Sequence, residues 1–380
     1  MVVPTDEAQP SRHQRPCPMT HRFTFFVMLI VVVTLLPEVV ICCGYLPAWP
    51  VWAQWAYAFT IAWAVFAIVV MQTWILGHVR SIRLFFATFL LLTIPKLLFA
   101  ILAPPLGAVV GLVAGALFFL AALYGFLRGW RRLVTTHVEC VSPTLPAAFD
   151  GYRIVQLSDL HLGSLTKHPD FIKRIVETAN AQHPDLIVFT GDLVNHTANE
   201  AAPFTDSLSR LSAPDGVLSI FGNHDELGTK YAKYMKPMHE KMGWHLLMNE
   251  HVMITRGDDS IAVVGVETTS PQPFKSTGDL GKALEGIPSD IWKLLLTHDP
   301  SHWRREVLDT TDIPLTLSGH THSAHLRLLG WSPARLMYHE WGGTYHEGGR
   351  MLHVSSGICG TVVFRLGAWP EVNVITLKKS

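Results

Sequence analysis

Thiol chemistry has little to work with in this chain. Its five cysteines, Cys17, Cys42, Cys43, Cys140 and Cys359, are odd in number and form no Cys-x-x-Cys pair, which excludes a disulfide framework and a thiolate zinc site. Charge is scarce too: Asp, Glu, Lys and Arg make up 16% of the 380 residues, and the mean hydropathy is +0.27. Acidic residues nearly vanish from the first third. Residues 1–132 hold three Asp/Glu against nine Lys/Arg, a net +6, whereas the remainder holds 27 against 21, a net −6. Formal neutrality therefore covers two different polymers. The second is mildly acidic and has no basic stripe, so it offers no footing for nucleic acid. No internal repeat stands out.

What the first part does have is long apolar runs. Four of them, Phe23–Leu46, Val51–Leu76, Leu84–Leu102 and Leu106–Leu127, reach the roughly 20 residues needed to cross a bilayer. The first is too long for a signal-peptide core and three more follow, so a multi-pass membrane region over 23–132 is expected, behind a polar tail over 1–22. Arg12, Arg15 and Arg22 precede the first run, Arg80 and Arg83 separate the second from the third, and Arg128, Arg131 and Arg132 follow the fourth. The connections around Gly44–Pro50 and Ala103–Pro105 carry no charge. By the positive-inside rule both ends of the bundle, and everything after Arg132, face the cytoplasm. Glu38 and Lys96 are costly inside these runs, and the expectation is Glu38 near the outer surface with Lys96 stretching to an interface or a partner. Gly107, Gly111 and Gly115 recur every four residues, a small-residue seam for packing within the bundle.

From Thr136 onward, short apolar runs alternate with more polar helical stretches, the pattern of an α/β domain over 133–380. The residues that end these runs carry the chemistry. "RIVQLSDLH" ends in Asp159 and His161, "DLIVFTGDLV" in Gly191 and Asp192, and "VLSIFGNHD" in Gly222, Asn223, His224 and Asp225. "KLLLTHDP" ends in His298 and Asp299, and "IPLTLSGHTH" in Gly319, His320, Thr321 and His322. In sheets flanked by helices, ligands collect outside the carboxyl ends of strands, so these loops can converge on one cleft. Imidazole, carboxylate and amide oxygen together suit Mn²⁺, Fe²⁺ or Zn²⁺. These are too many ligands for one tetrahedral ion but suit two ions, about 3.5–4 Å apart, that share a bridging carboxylate. Most of the other histidines among the 20, such as His168, His183, His196, His239, His302 and His353, read as surface or core residues.

The motif set D-x-H, G-D, G-N-H-[DE], H and G-H-x-H, in that order, resembles the calcineurin-like metallophosphoesterase superfamily, and within it the membrane-associated bacterial phosphodiesterase branch. The likeness runs from about Val138 to the C-terminus and includes "FDGYRIVQLSDLHLG" and "VSSGICG". It implies two β-sheets packed face to face between helices, so the expected whole is a four-helix transmembrane bundle followed by an α/β metallophosphoesterase domain. It also implies a metal-dependent phosphoester hydrolase with two divalent ions, Mn, Fe or Zn. One ion would take Asp159, His161, Asp192 and His322, the other Asp192, Asn223, His298 and His320. His224 matches the catalytic histidine that binds phosphate or protonates the leaving oxygen, and Asp225 is expected to orient it. Relatives often follow G-H-T-H with Gly-Gly-Gln, whereas this chain has Ser323-Ala324-His325, with His325 a candidate substrate contact. The longer stretch after it offers Trp331, Met337, Tyr338 and Trp341 to an acyl chain, to the membrane surface or to ordinary packing.

A catalytic domain held at the cytoplasmic leaflet of the inner membrane points to a lipid-linked phosphodiester or pyrophosphate. The resemblance extends to UDP-diacylglucosamine pyrophosphatases of lipid A biosynthesis. Two other readings are a phosphodiesterase on a soluble nucleotide, with the membrane region as anchor, and a non-enzymatic binding or sensing module. The full ligand set argues against the last.

Overall fold

Apolar backbone without water to satisfy it has to coil, and the described residues between 32 and 127 do so for most of their length. The computed structural model describes residues 32–73, 75, 77–227, 231–270 and 276–380. The tail expected over 1–22 and the start of the run beginning at Phe23 lie outside these residues. Helix α1 covers Val32–Gly44, α2 Val51–Thr73, α3 Val79–Leu106 and α4 Ala108–Leu127. Only α2, α3 and α4 are long and apolar enough to cross a membrane, so three candidate spans rather than four are present among the described residues.

The expected connection at Ala103–Pro105 is the last turn of α3, and the chain reverses at Gly107, whose φ of +94° suits glycine. Gly107 is thus a turn residue rather than part of the seam. Gly111 and Gly115 do form the seam: an added Cβ would lie 2.9 Å from the Ala103 Cβ at the first and 2.8 Å from the Pro95 carbonyl at the second. A π turn over Phe89–Thr93 precedes Pro95, where the ring would otherwise press on the carbonyl four residues back. Lys96 reaches a partner, Glu38, at 2.8 Å, and the Tyr57 hydroxyl donates to the same carboxylate at 2.5 Å.

The remainder forms two six-stranded sheets. The first runs in the order β1 (Val134–Ser142), β12 (Glu371–Lys379), β2 (Arg153–Leu157), β3 (Leu186–Phe189), β4 (Val217–Ser219) and β5 (His245–Leu246). Strands β2 to β5 are mutually parallel and β12 runs against β2. The second runs β10 (Gly343–Glu347), β11 (Arg350–Val354), β9 (Leu315–Ser318), β8 (Trp292–Leu296), β7 (Asp259–Gly265) and β6 (Glu250–Arg256), parallel from β11 to β7.

Alternation along β2 shows how the layers form. Ile154 faces between the sheets with Leu218, Leu294, Leu317 and Ile375. Val155 and Leu157 face outward against Ile172 and Ile175 of helix α5 (Pro169–Asn180). Another apolar cluster joins the two parts of the chain: Val362, Phe364 and Leu366, from the loop before β12, pack with Leu90 and Ala122 of the apolar helices. The Phe364 ring lies 4.7 Å from that of Phe126.

Candidate metal centre

All the expected ligands leave the carboxyl ends of parallel strands: β2, β3 and β4 in one sheet, β8 and β9 in the other. The loops turn at once, and they do so with non-glycine residues in the left-handed region. Asp159 has φ +54°, His161 +45°, Asp192 +60°, His320 +74° and His322 +50°. Each such residue costs of order 1–3 kcal/mol and persists only where its surroundings over-determine it. Gly222 allows a close approach, since a Cβ there would run into the Asp192 carboxylate.

Two groups of ligand atoms result. Asp159, His161, Asp192 and His322 form one, and Asp192, His298 and His320 the other, with the atoms of each group within 4.8 Å of one another. Asp192 belongs to both: its Oδ2 lies 3.5 Å from Nε2 of His161 and 3.3 Å from Nε2 of His298. His322 Nε2 lies 3.5 Å from Asp159 Oδ1, and His320 Nδ1 lies 3.2 Å from His298 Nε2.

The outward nitrogens explain why these rings present lone pairs inward. Nδ1 of His298 meets the Thr190 carbonyl at 2.7 Å, which can only accept, so that nitrogen carries a hydrogen and Nε2 is the atom turned toward Asp192. His161 Nδ1 bonds Asn195 Oδ1 at 3.0 Å. Tyr338 places its hydroxyl 3.0 Å from Nε2 of His320, leaving Nδ1 to face the cluster.

Burial keeps the His161 imidazole neutral by pushing it down to about 3, and does the same to His320, down to about 4. Burial raises Asp159 to about 6. For Asp192 burial works upward, but the His298 imidazole 3.3 Å away outweighs it and holds the carboxyl low. His161 Nε2 and Asn223 Oδ1 are buried with no hydrogen-bond partner among the described residues. Such atoms are costly unless something cationic satisfies them, and the donor set of carboxylate, imidazole and amide suits a divalent transition metal. The residues fit the group.

His224 stands beside the cluster, its ring 4.9 Å from that of His161. Its backbone N–H donates to Asp192 Oδ1 at 2.9 Å, and its Nδ1 bonds the Asn195 carbonyl at 2.8 Å. Asp225 takes a different place from the one expected. Its carboxylate accepts the backbone N–H groups of Leu193, Val194 and Gly222, lacing the two loops together, while the ring of His224 is held by Asn195. His325 stacks on His322 at 4.9 Å with its Nδ1 on the Phe364 carbonyl, so it backs a ligand as much as it faces the cleft.

Sequence reasoning missed Asn195 and Tyr338 as positioning residues. Asn195 follows Asp192 by three residues, a spacing that could have flagged it. Tyr338 lies 18 residues from His320 and carries no comparable signal. Trp341 uses its carbonyl to accept the Thr321 hydroxyl at 2.6 Å, and Trp331 is exposed.

The family model for calcineurin-like phosphoesterase matches residues 152–324. The chain is 32% identical over 270 residues to the uncharacterized metallophosphoesterase YkuE of Bacillus subtilis, covering 68% of this chain and 90% of that one. It is 29% identical to a second Bacillus subtilis metallophosphoesterase, YkoQ, covering 58% of this chain and 81% of that one. A transmembrane protein with metallophosphoesterase domain from Danio rerio is 30% identical over 54% of this chain, which spans about half (48%) of that protein's length. Four strand-end loops carrying Asp and His to one cluster, together with these relatives, place the chain in the calcineurin-like phosphoesterase family, as a phosphoester hydrolase with a site suited to divalent metal ions.

Proposed function

We propose that this protein hydrolyses a phosphodiester or pyrophosphate of a lipid-linked substrate, such as UDP-diacylglucosamine, at the cytoplasmic face of the inner membrane. The frame is a tail over 1–22, a membrane region over 23–132 and a catalytic domain over 133–380. Two divalent ions would be held by Asp159, His161, Asp192 and His322 and by Asp192, Asn223, His298 and His320, with Asp192 shared. Bound there, such ions supply Lewis-acid stabilisation of phosphoryl charge and acidify water. His224 contributes Nε2: Nδ1 faces a carbonyl and so carries hydrogen, and in the imidazolium form the second proton sits on Nε2, from which it can be donated to a phosphoryl oxygen or transferred to the leaving oxygen. Asn195 holds that ring and the His161 ring in register with each other.

The observation that carries the lipid reading is the distance between site and membrane helix. The Phe86 ring of α3 lies 6.0 Å from that of His325, which stacks on His322. A cleft one ring away from a membrane helix suits a substrate whose tail stays in the bilayer. Detergent-purified protein with Mn²⁺ is expected to cleave UDP-diacylglucosamine in mixed micelles, and His224→Ala to slow it about 10²–10⁴-fold. Turnover of a soluble diester such as bis-p-nitrophenyl phosphate, with none of the micellar substrate, would overturn the lipid assignment.

A further inference from the structure

An arginine at the end of a membrane helix ordinarily turns its head to water and lipid phosphates. Arg83 of α3 does otherwise. Its guanidinium donates from Nε to the Thr361 carbonyl and from Nη2 to the Ser164 hydroxyl oxygen, both at 2.8 Å. Ser164 Oγ in turn accepts Asn195 Nδ2 at 3.1 Å, and Asn195 holds His161 through Oδ1 and His224 through its carbonyl. Thr361 lies two residues beyond Cys359, whose N–H donates to the Asp159 carbonyl at 2.9 Å. Three residues along α3, on the same face, Phe86 backs His325 and through it His322.

One helix face therefore supports Asp159, His161 and His322, which together with Asp192 make up one of the two ligand groups. His298 and His320 take their support elsewhere, from Thr190 and Tyr338. We infer that α3 is a working part of the catalytic centre: Arg83 is a positioning residue that sets the Asp159/His161/His322 group, and the membrane region controls occupancy of that half of the site. This deepens the reading above and rests on its two-ion centre.

The test is Mn²⁺ binding to full-length, detergent-purified protein stripped of metal, read by calorimetry and by the electron paramagnetic resonance of the bound ions. Wild type is expected to take up two equivalents with an exchange-coupled spectrum. Arg83→Ala is expected to bind one equivalent about tenfold more weakly or worse, the loss usual when the group behind a ligand is removed, and to show a single-ion spectrum at limiting metal. Arg83→Lys, which keeps the charge and can reach one of the two acceptors, should fall between them; it carries the comparison if Arg83→Ala does not fold. Arg80→Ala, exposed on the same helix, should match wild type. If wild type takes up two equivalents and Arg83→Ala and Arg83→Lys bind both as tightly, the inference is wrong. If wild type itself takes up none, the two-ion reading has failed.

Discussion

The hydroxyl of Tyr338 sits 3.0 Å from Nε2 of His320, and the two rings meet edge to face at 5.6 Å. A residue from the long loop after the G-H-T-H motif thereby decides which imidazole nitrogen looks inward. Tyr338→Phe removes one hydrogen bond of about 1 kcal/mol, so Mn²⁺ bound at the His298/His320 group should weaken roughly fivefold. Calorimetry on the two proteins makes the comparison, and unchanged affinity would mean that the tyrosine does not orient this ligand.

The Glu38–Lys96 pair is a second point of commitment, this time between the apolar helices α1 and α3. Removing one partner of a fully buried pair costs about 3–5 kcal/mol because the other is stranded, whereas removing both can be nearly neutral. This pair is part-buried and Glu38 keeps the Tyr57 hydroxyl, so a smaller loss of the same sign is expected. Lys96→Met should therefore lower the unfolding temperature in detergent, and the double variant Glu38→Leu/Lys96→Leu should recover most of it. Equal stability of single variant and wild type would show that the pair contributes nothing.

Four consecutive residues, His322, Ser323, Ala324 and His325, have positive φ, with Ser323 and Ala324 both at +47°. Left-handed backbone costs an ordinary residue about 1–2 kcal/mol, more than glycine loses through its freer unfolded chain. Ala324→Gly should stabilise the protein by about 0.5–1 kcal/mol, visible as a higher unfolding temperature. A lower one would place some needed contact on the Ala324 methyl group.

His239 is wholly buried, with Nδ1 on the Ser219 hydroxyl at 2.9 Å and its ring beside Phe221 and Trp244. Burial pushes its imidazole down to about 3, so it stays neutral in the fold while the unfolded chain takes a proton below about 6.5. The stability this contributes is complete above pH 6.5 and is lost as pH falls from there toward 3. Between about pH 7 and 4.5, His239→Leu should lose unfolding temperature less steeply than wild type. Parallel slopes in a fluorimetric melt would contradict this.

Much of the site could be read from the chain because ligand chemistry is local. A strand that ends in Asp-x-His or Gly-His-x-His announces both the turn and the donors, and the order of the loops followed. What could not be read depends on distant partners. Asn195 reaches His161 and His224 across 34 and 29 residues, and Tyr338 reaches His320 across 18. Asp225 beside His224 invited a pairing by adjacency, but three backbone N–H groups from neighbouring loops claim its carboxylate. In the membrane region, Pro104 and Pro105 read as a connection by a rule for helices in water. In an apolar helix, local adjustments and close neighbours tolerate them, and the turn falls to Gly107.

The most direct measurement is the metal content of purified wild type and Asp192→Asn, counted per chain by mass spectrometry after dialysis against Mn²⁺. A carboxylate common to both ligand groups requires two equivalents in wild type and a loss at both positions in the variant. Two equivalents retained by Asp192→Asn, or none held by wild type, would contradict the account.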